Sequence, residues 1–152
     1  MREQKRGRKI AMSPEELNAF LAEERTCRVA TVGADGAPHT TALWYAWDGT
    51  SLWLTSIVRS QRWTDLMRDG RVSVLIDGGV EYSELRGAEI RGVVAPVGEV
   101  PRTGEPVPEL ERAEQIFADR YMGGTMFHDG RHAWLRVTPE KIVSWDFRKA
   151  GT

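Results

Sequence analysis

CRVATVGADGAPHTTALWYAWDGTSLWLTS, the stretch from Cys27 to Ser56, sets the architecture. Cys27–Val32 is a short run rich in apolar and β-branched residues. Behind it, Ala34-Asp35-Gly36 is turn chemistry, with glycine supplying the positive φ of a tight reversal. Pro38–Trp47 returns, Asp48-Gly49 marks a second reversal, and Ser51–Ser56 is a third strand. Turns about a dozen residues apart suit an antiparallel meander rather than a parallel sheet.

Working outward, Ser13-Pro14-Glu15-Glu16 is a helix start. The serine can cap an orphan N–H, proline suits the first helical position, and Glu16 can close a capping box. Leu17, Phe20 and Leu21 follow at helical spacing, which predicts a helix over residues 14–24. On the other side, Trp63, Leu66 and Met67 form a second helical set that ends near Asp69-Gly70. Val72, Val74 and Ile76 alternate as a strand, and Leu85–Val97 is a longer one in which Gly87 and Gly92 suggest bulges or sharp coiling. Pro101, Pro106 and Pro108 mark a loop, Glu109–Tyr121 a third helix ended by Gly123-Gly124, and Ala133–Val137 and Lys141–Phe147 two last strands. Six or seven short antiparallel strands with about three helices favour a small closed barrel, because closure removes exposed edges.

Composition sets outer limits. The chain has 152 residues, enough for one domain, and 21 basic against 22 acidic side chains. That balance argues against a protein built to hold nucleic acid, whose phosphates demand excess positive charge. Arg2, Lys5, Arg6, Arg8 and Lys9 concentrate charge in residues 1–12, expected as a mobile basic tail ahead of a single domain over 13–152. No apolar run reaches the length of a membrane span, and no secretory apolar stretch follows the tail. Cys27 is the only cysteine, so the default setting is the reduced cytoplasm.

Several chemistries lack their signatures. No G-x-G-x-x-G, Walker A or G-x-S-x-G sequence occurs. One cysteine and three histidines make a metal site improbable. His128 and His132 flank the turn Asp129-Gly130 and read as ordinary loop or surface residues. Of the six tryptophans, most belong to core or interface. Tyr82 and His39 are possible proton donors, though each reads more readily as structural.

Leu52–Arg62 carries the functional signal. A strand ends in hydroxyl residues, and a loop then offers Arg59, Ser60, Gln61 and Arg62 at a helix start. Unpaired N–H groups and the helix dipole there favour an anion, and guanidinium forks match phosphate oxygens. On pattern alone, a solvated helix start with incidental arginines explains the same residues equally well.

The stretch from about Thr26 to Gly98 resembles the pyridoxamine 5′-phosphate oxidase-like superfamily, and most closely its flavin/deazaflavin oxidoreductases of the B-type branch. The matching pieces are Arg28-Val29-Ala30-Thr31-Val32-Gly33, Asp35-Gly36-Ala37-Pro38-His39, Leu43-Trp44-Tyr45, Leu52-Trp53-Leu54-Thr55, Arg59-Ser60-Gln61-Arg62 and Leu66–Ser73. Leu85-Arg86-Gly87 and Ser144-Trp145-Asp146 complete the match. The resemblance implies a mainly β split barrel, working as a homodimer with cofactors in the clefts between subunits. It implies that Thr55, Ser60, Gln61 and Arg62 form the cofactor-phosphate segment with Arg59 beside it. Trp145 then matches the late-strand tryptophan that approaches the ring system from the other subunit, and Arg148 and Lys149 can extend the anion site. Gln61 and Arg62 stand where the oxidase has arginine then lysine, and its C-terminal pyridoxal-phosphate motif has no counterpart. The implied activity is therefore a reductase using coenzyme F-420 on a planar conjugated molecule. FMN is the alternative cofactor, and non-catalytic cofactor or tetrapyrrole binding the alternative function.

Overall fold

Each expected reversal closes where its glycine allows it. The computed structural model describes residues 1–151; Thr152, the last residue of the expected domain, lies outside the described residues. Six strands form: β1 (Thr26–Val32), β2 (Pro38–Trp47), β3 (Leu52–Ile57), β4 (Arg71–Gly78), β5 (Arg86–Val97) and β6 (His132–Asp146). Three helices accompany them: α1 (Pro14–Glu23), α2 (Gln61–Arg68) and α3 (Pro108–Tyr121). The strands pair antiparallel in the order β1-β2-β3-β6-β5-β4 and close, a split β-barrel with flanking helices. The capping box forms as the sequence predicts, the Glu16 N–H donating to Ser13 Oγ and the Ser13 N–H to Glu16 Oε2.

The choice between six and seven strands falls to six, because the two expected C-terminal strands are one. β6 runs unbroken past Pro139, which has no N–H to offer a ladder. The register against β5 shifts between Arg91 and Gly92, from Arg91↔Lys141 to Gly92↔Pro139. A Cβ on Gly92 would lie 2.1 Å from the Thr138 carbonyl oxygen, so only glycine lets the two backbones meet there. The second predicted glycine acts differently: Gly87 stays in register opposite Trp145.

The barrel interior is filled by Cys27, Val29, Tyr45, Leu54, Val74, Ile76, Ile90 and Leu135, which Phe20 and Leu21 of α1 and Trp63 and Leu66 of α2 join. A second apolar layer lies outside the wall, where Leu110, Ala113 and Phe117 of α3 cover Ala46, Trp53 and Trp134. Burial of each large side chain of this kind is worth about 1.5–3 kcal/mol, which fixes α3 to the wall. The basic N-terminal segment, expected as a mobile tail, is laid along β6. The Arg2 N–H donates to Glu140 O at 2.8 Å, and the Gln4 amide exchanges two hydrogen bonds with the Ser144 backbone.

Two ladders are short, β1 with β4 and β2 with β3, at three residue pairs each. β2 and β3 pair only at Tyr45↔Leu54, Ala46↔Trp53 and Trp47↔Leu52. Before Tyr45, β2 pairs with β1 alone; after Leu54, β3 pairs with β6 alone. α2 follows β3 almost at once and is tied to β1 through the fully buried Asp65. That carboxylate accepts from Gln61 Nε2 at 2.8 Å, Arg68 Nη2 at 2.9 Å and Thr31 Oγ1 at 3.1 Å.

Hydrogen bonds from Gln61 and then Arg68 outweigh burial and hold Asp65 below the usual carboxylate range. Its stabilising effect is complete above the unfolded value of about 4 and is lost as pH falls through the lower folded value. Asp65→Asn should therefore lower Tm at neutral pH and flatten part of the acid limb of stability, as read by thermal melts from pH 7 to 3. A variant melting with the wild-type profile would show that the carboxylate does not hold α2 in place.

Candidate functional site

The parting of β2 from β3 is bridged by one side chain. Arg62, in the first turn of α2, donates from Nε to Ser56 Oγ of β3 at 3.1 Å and from Nη1 to Thr41 Oγ1 of β2 at 2.7 Å. Both partners are neutral hydroxyls, and no carboxylate pairs with Arg62 among the described residues. Burial draws its pKa below the ordinary guanidinium value, yet an arginine keeps its charge in proteins. The remaining donors of a half-buried, uncompensated cation are an anion-binding feature. Cys27 lies near this charge but is sealed in the core, where burial pushes its thiol up to about 12 and leaves it inert.

The other expected phosphate residues are distributed around it. Ser60 caps α2, its Oγ accepting from the Trp63 N–H at 3.1 Å and donating to Ile57 O at 2.7 Å. The Gln61 side chain is spent on Asp65, so it offers the site only its backbone N–H. Arg59 is exposed and has no ion pair among the described residues. Thr55 alternates with Ser56 and faces the opposite side of the wall, where it lines a cleft.

Trp145, Arg148 and Lys149 are not brought to this segment within one chain. Trp145 lies over Gly87, where an added Cβ would sit 2.3 Å from its ring, and lines a separate depression with Ala30, Thr40 and Leu75. Arg148 is engaged by Asp146, with Nε to Oδ1 at 2.9 Å and Nη2 to Oδ2 at 2.7 Å. Lys149 reaches Glu16 Oε2 at 2.6 Å and the Ala11 carbonyl at 2.8 Å. Both cations hold the C-terminal segment to its own surroundings.

The cleft that Thr55 lines has a volume of about 240 Å³ and collects residues the sequence did not single out as a site. Its apolar walls include Leu43, Trp44, Phe117 and Phe127. Trp44 stacks on Tyr121 with centroids 4.5 Å apart and planes 6° from parallel, and Phe117 meets Trp134 edge-on. Its polar end holds Arg102, His128, Asp129 and His132. Arg102 is buried between Glu99 and Glu114, and Trp134 Nε1 donates to Glu114 at 2.9 Å. His132 Nδ1 lies 2.6 Å from Asp129 Oδ2. Burial works against the Asp129 charge, but hydrogen bonds from the Arg131 N–H and from His132 hold it below the usual carboxylate range. A signal for this end does exist in the sequence, Asp129-Gly130 between two histidines. It was legible as a turn, but not as a turn folded against a cleft. Neither His39 nor Tyr82 lines this cleft; Tyr82 is exposed and packs on Phe147.

No group of three or more His, Cys, Asp or Glu side chains among the described residues is placed to hold a metal. No helix among the described residues is long and apolar enough to cross a membrane.

Comparison with known proteins gives a family and several structural relatives. Residues 13–146 match the family model for pyridoxamine 5′-phosphate oxidase. The crystal structure of conserved hypothetical protein Rv2991 from Mycobacterium tuberculosis is 35% identical, with a TM-score of 0.82, over 98% of this chain and 94% of that one. An F-420 reductase is similar at 24% identity and TM-score 0.62, over 83% and 94%. HutZ, the heme storage protein from Vibrio cholerae, is similar at 15% and 0.69, over 90% and 96%. At these identities the last two carry the fold alone. No curated protein gives a significant match.

The seat of Trp145 depends on Gly87. Gly87→Ala should dislodge the indole while leaving the β5–β6 ladder intact, seen as a changed tryptophan emission spectrum with an unchanged far-ultraviolet circular dichroism spectrum. An unaltered emission spectrum would show that the ring does not need the space a Cβ would fill.

Proposed function

The chain belongs to the pyridoxamine 5′-phosphate oxidase family, and from that premise we propose that it is a coenzyme F-420-dependent oxidoreductase. It transfers hydride to a planar, conjugated small molecule, as a homodimer in the reducing cytoplasm. FMN is the alternative cofactor. The observation that carries the reading is Arg62, a half-buried cation held across the barrel's split by neutral hydroxyls alone. A cation so placed fits a phosphate or phosphodiester, with the Ser60 hydroxyl and the first N–H groups of α2 beside it. When bound, a deazaflavin or flavin supplies the two-electron chemistry, and the chain supplies orientation, electrostatics and exclusion of water.

Residues 13–151 form the barrel domain and residues 1–12 an added arm. Trp145 is the contribution to the cofactor of the neighbouring protomer. Its position on the outer wall, beside the exposed Leu75, suits a surface covered by a second copy. F-420 is favoured over FMN by charge outside the phosphate pocket. Arg59 is exposed and carries no ion pair among the described residues. An acidic tail needs such positive charge along its path, whereas FMN needs only the pocket. Arg148 and Lys149, already paired with carboxylates, contribute less to that path than the sequence suggested.

The test is fluorescence titration of the purified protein with F-420, FMN and hemin separately. F-420 should bind with a Kd on the order of micromolar or tighter, weakened roughly ten- to hundredfold in Arg62→Ala. Arg59→Ala, which removes no contact within the fold, should weaken F-420 and leave FMN unchanged. FMN preference would move the protein to the flavin branch, hemin preference to cofactor carriage, and binding of none would sink the oxidoreductase reading.

A further inference from the structure

We propose that the cleft beside the split seats the acceptor, and that His132, oriented by Asp129, donates the proton that completes its reduction. The inference rests on the hydride-transfer reading for its chemistry, though not for the seat itself.

Size and position come first. The cleft's volume of about 240 Å³ falls just below the roughly 300–1,000 Å³ of pockets that enclose drug-sized ligands. It has room for one or two fused rings and not for a cofactor with its phosphate chain. It also adjoins the expected cofactor site through consecutive residues of one strand. Ser56 faces Arg62 across the split, and Thr55 lines the cleft on the other side of the wall. A flat apolar ring meets Trp44 and Phe117, and its polar edge meets the far end of the cleft.

At that end only one oriented group is free to serve a ligand. Arg102 is committed to Glu99 and Glu114. Asp129 accepts from the backbone N–H groups of Arg131 and His132 as well as from the imidazole. His128 packs against Gly104, where an added Cβ would lie 3.0 Å from its ring, and it feels the charge of Glu114 but has no hydrogen-bond partner among the described residues. His132 differs: its Nδ1 is fixed by a carboxylate at 2.6 Å, and its Nε2 has no partner among the described residues. An imidazole held in this way presents its other nitrogen in a defined direction.

The step balances with a reduced deazaflavin or flavin as the named reductant. The acceptor's electrophilic carbon gains a C–H bond from the hydride. The pair of its C=C bond shifts to join the α carbon to the carbonyl carbon, and the C=O π pair moves onto the oxygen. The His132 Nε2–H bond breaks as an O–H bond forms on that oxygen, giving an enol that returns to the ketone. Solvent then restores the proton to the neutral imidazole. The acceptor is reduced by two electrons and gains two hydrogens; the cofactor is oxidised. Asp129 is a positioning residue that fixes the ring.

The seat is tested without cofactor, using benzylideneacetone, a planar enone, and the full chain labelled with 15N-histidine. In the wild-type protein the enone should shift the His132 ring-nitrogen resonances and leave those of His39 in place, and His132→Gln should weaken binding about tenfold. Unmoved His132 resonances, or equal binding by the variant, would overturn the seat. With reduced F-420, His132→Gln should lower kcat by roughly 10²–10⁴-fold with the F-420 Kd unchanged, while His39→Gln, outside the cleft, keeps its rate. Wild-type turnover by His132→Gln would overturn the donor role. Asp129→Asn should alter the His132 ring-nitrogen shifts and lower kcat; unaltered shifts would remove Asp129 from the proposal. Loss of F-420 binding in the unmodified protein is a separate result, which strikes the cofactor reading and not the seat.

Discussion

A closed barrel spares its edges by pairing every strand on both sides, and this one closes while leaving the seam between β2 and β3 largely unpaired. Three residue pairs join β2 to β3, and beyond them the strands turn to different neighbours. Backbone groups along that seam need other partners, and the space needs filling. α2 starts close by, a few residues after β3 ends. Its first turn reaches across with Arg62 and its buried face contributes Trp63 and Leu66 to the interior. The same geometry that repairs the seam thus leaves a cation and a helix start at the barrel surface. Site and fold are one solution there.

The outer wall depends on a second commitment of charge. Arg102 is only 6% exposed, and two glutamates compensate it. Glu99 also accepts the backbone N–H groups of Thr103, Gly104 and Glu105, so a proline-rich loop folds around one carboxylate. Glu114 carries the link to α3 and to the Trp134 indole. Breaking such a network by removing one partner costs far more than never having built it. It sets where α3 ends, and therefore where Phe117 and Met122 stand relative to Thr55 in the cleft.

Local chemistry made much of this legible. The Ser13 capping box, the Asp35-Gly36 reversal, the bounds of β2 and the α2 helix follow from neighbours in sequence, and the structure places them as the sequence implied. What escaped was long-range. The unity of β6 depends on Gly92 of another strand admitting the Thr138 carbonyl. Lys149 looked like free positive charge because its partner Glu16 lies far away in sequence; Asp146 stands only two residues from Arg148, but the two meet through the turn at Phe147. His132 and Asp129 read as a surface turn because nothing nearby in sequence reveals that β3 and α3 close around it.

Charge is where the two views meet. The chain is nearly neutral overall, a balance that speaks of the whole surface and says nothing about single sites. The structure sorts its cations by what holds them. Arg68, Arg71, Arg102, Arg136 and Arg148 are paired with carboxylates. Arg62 is held by hydroxyls alone and Arg59 has no ion pair. An acidic residue placed beside Arg62 would cancel its field and compete with any incoming phosphate. Neutral Thr41 and Ser56 instead fix the guanidinium in direction while leaving its charge uncompensated, the state in which a partly buried cation attracts an anion most strongly.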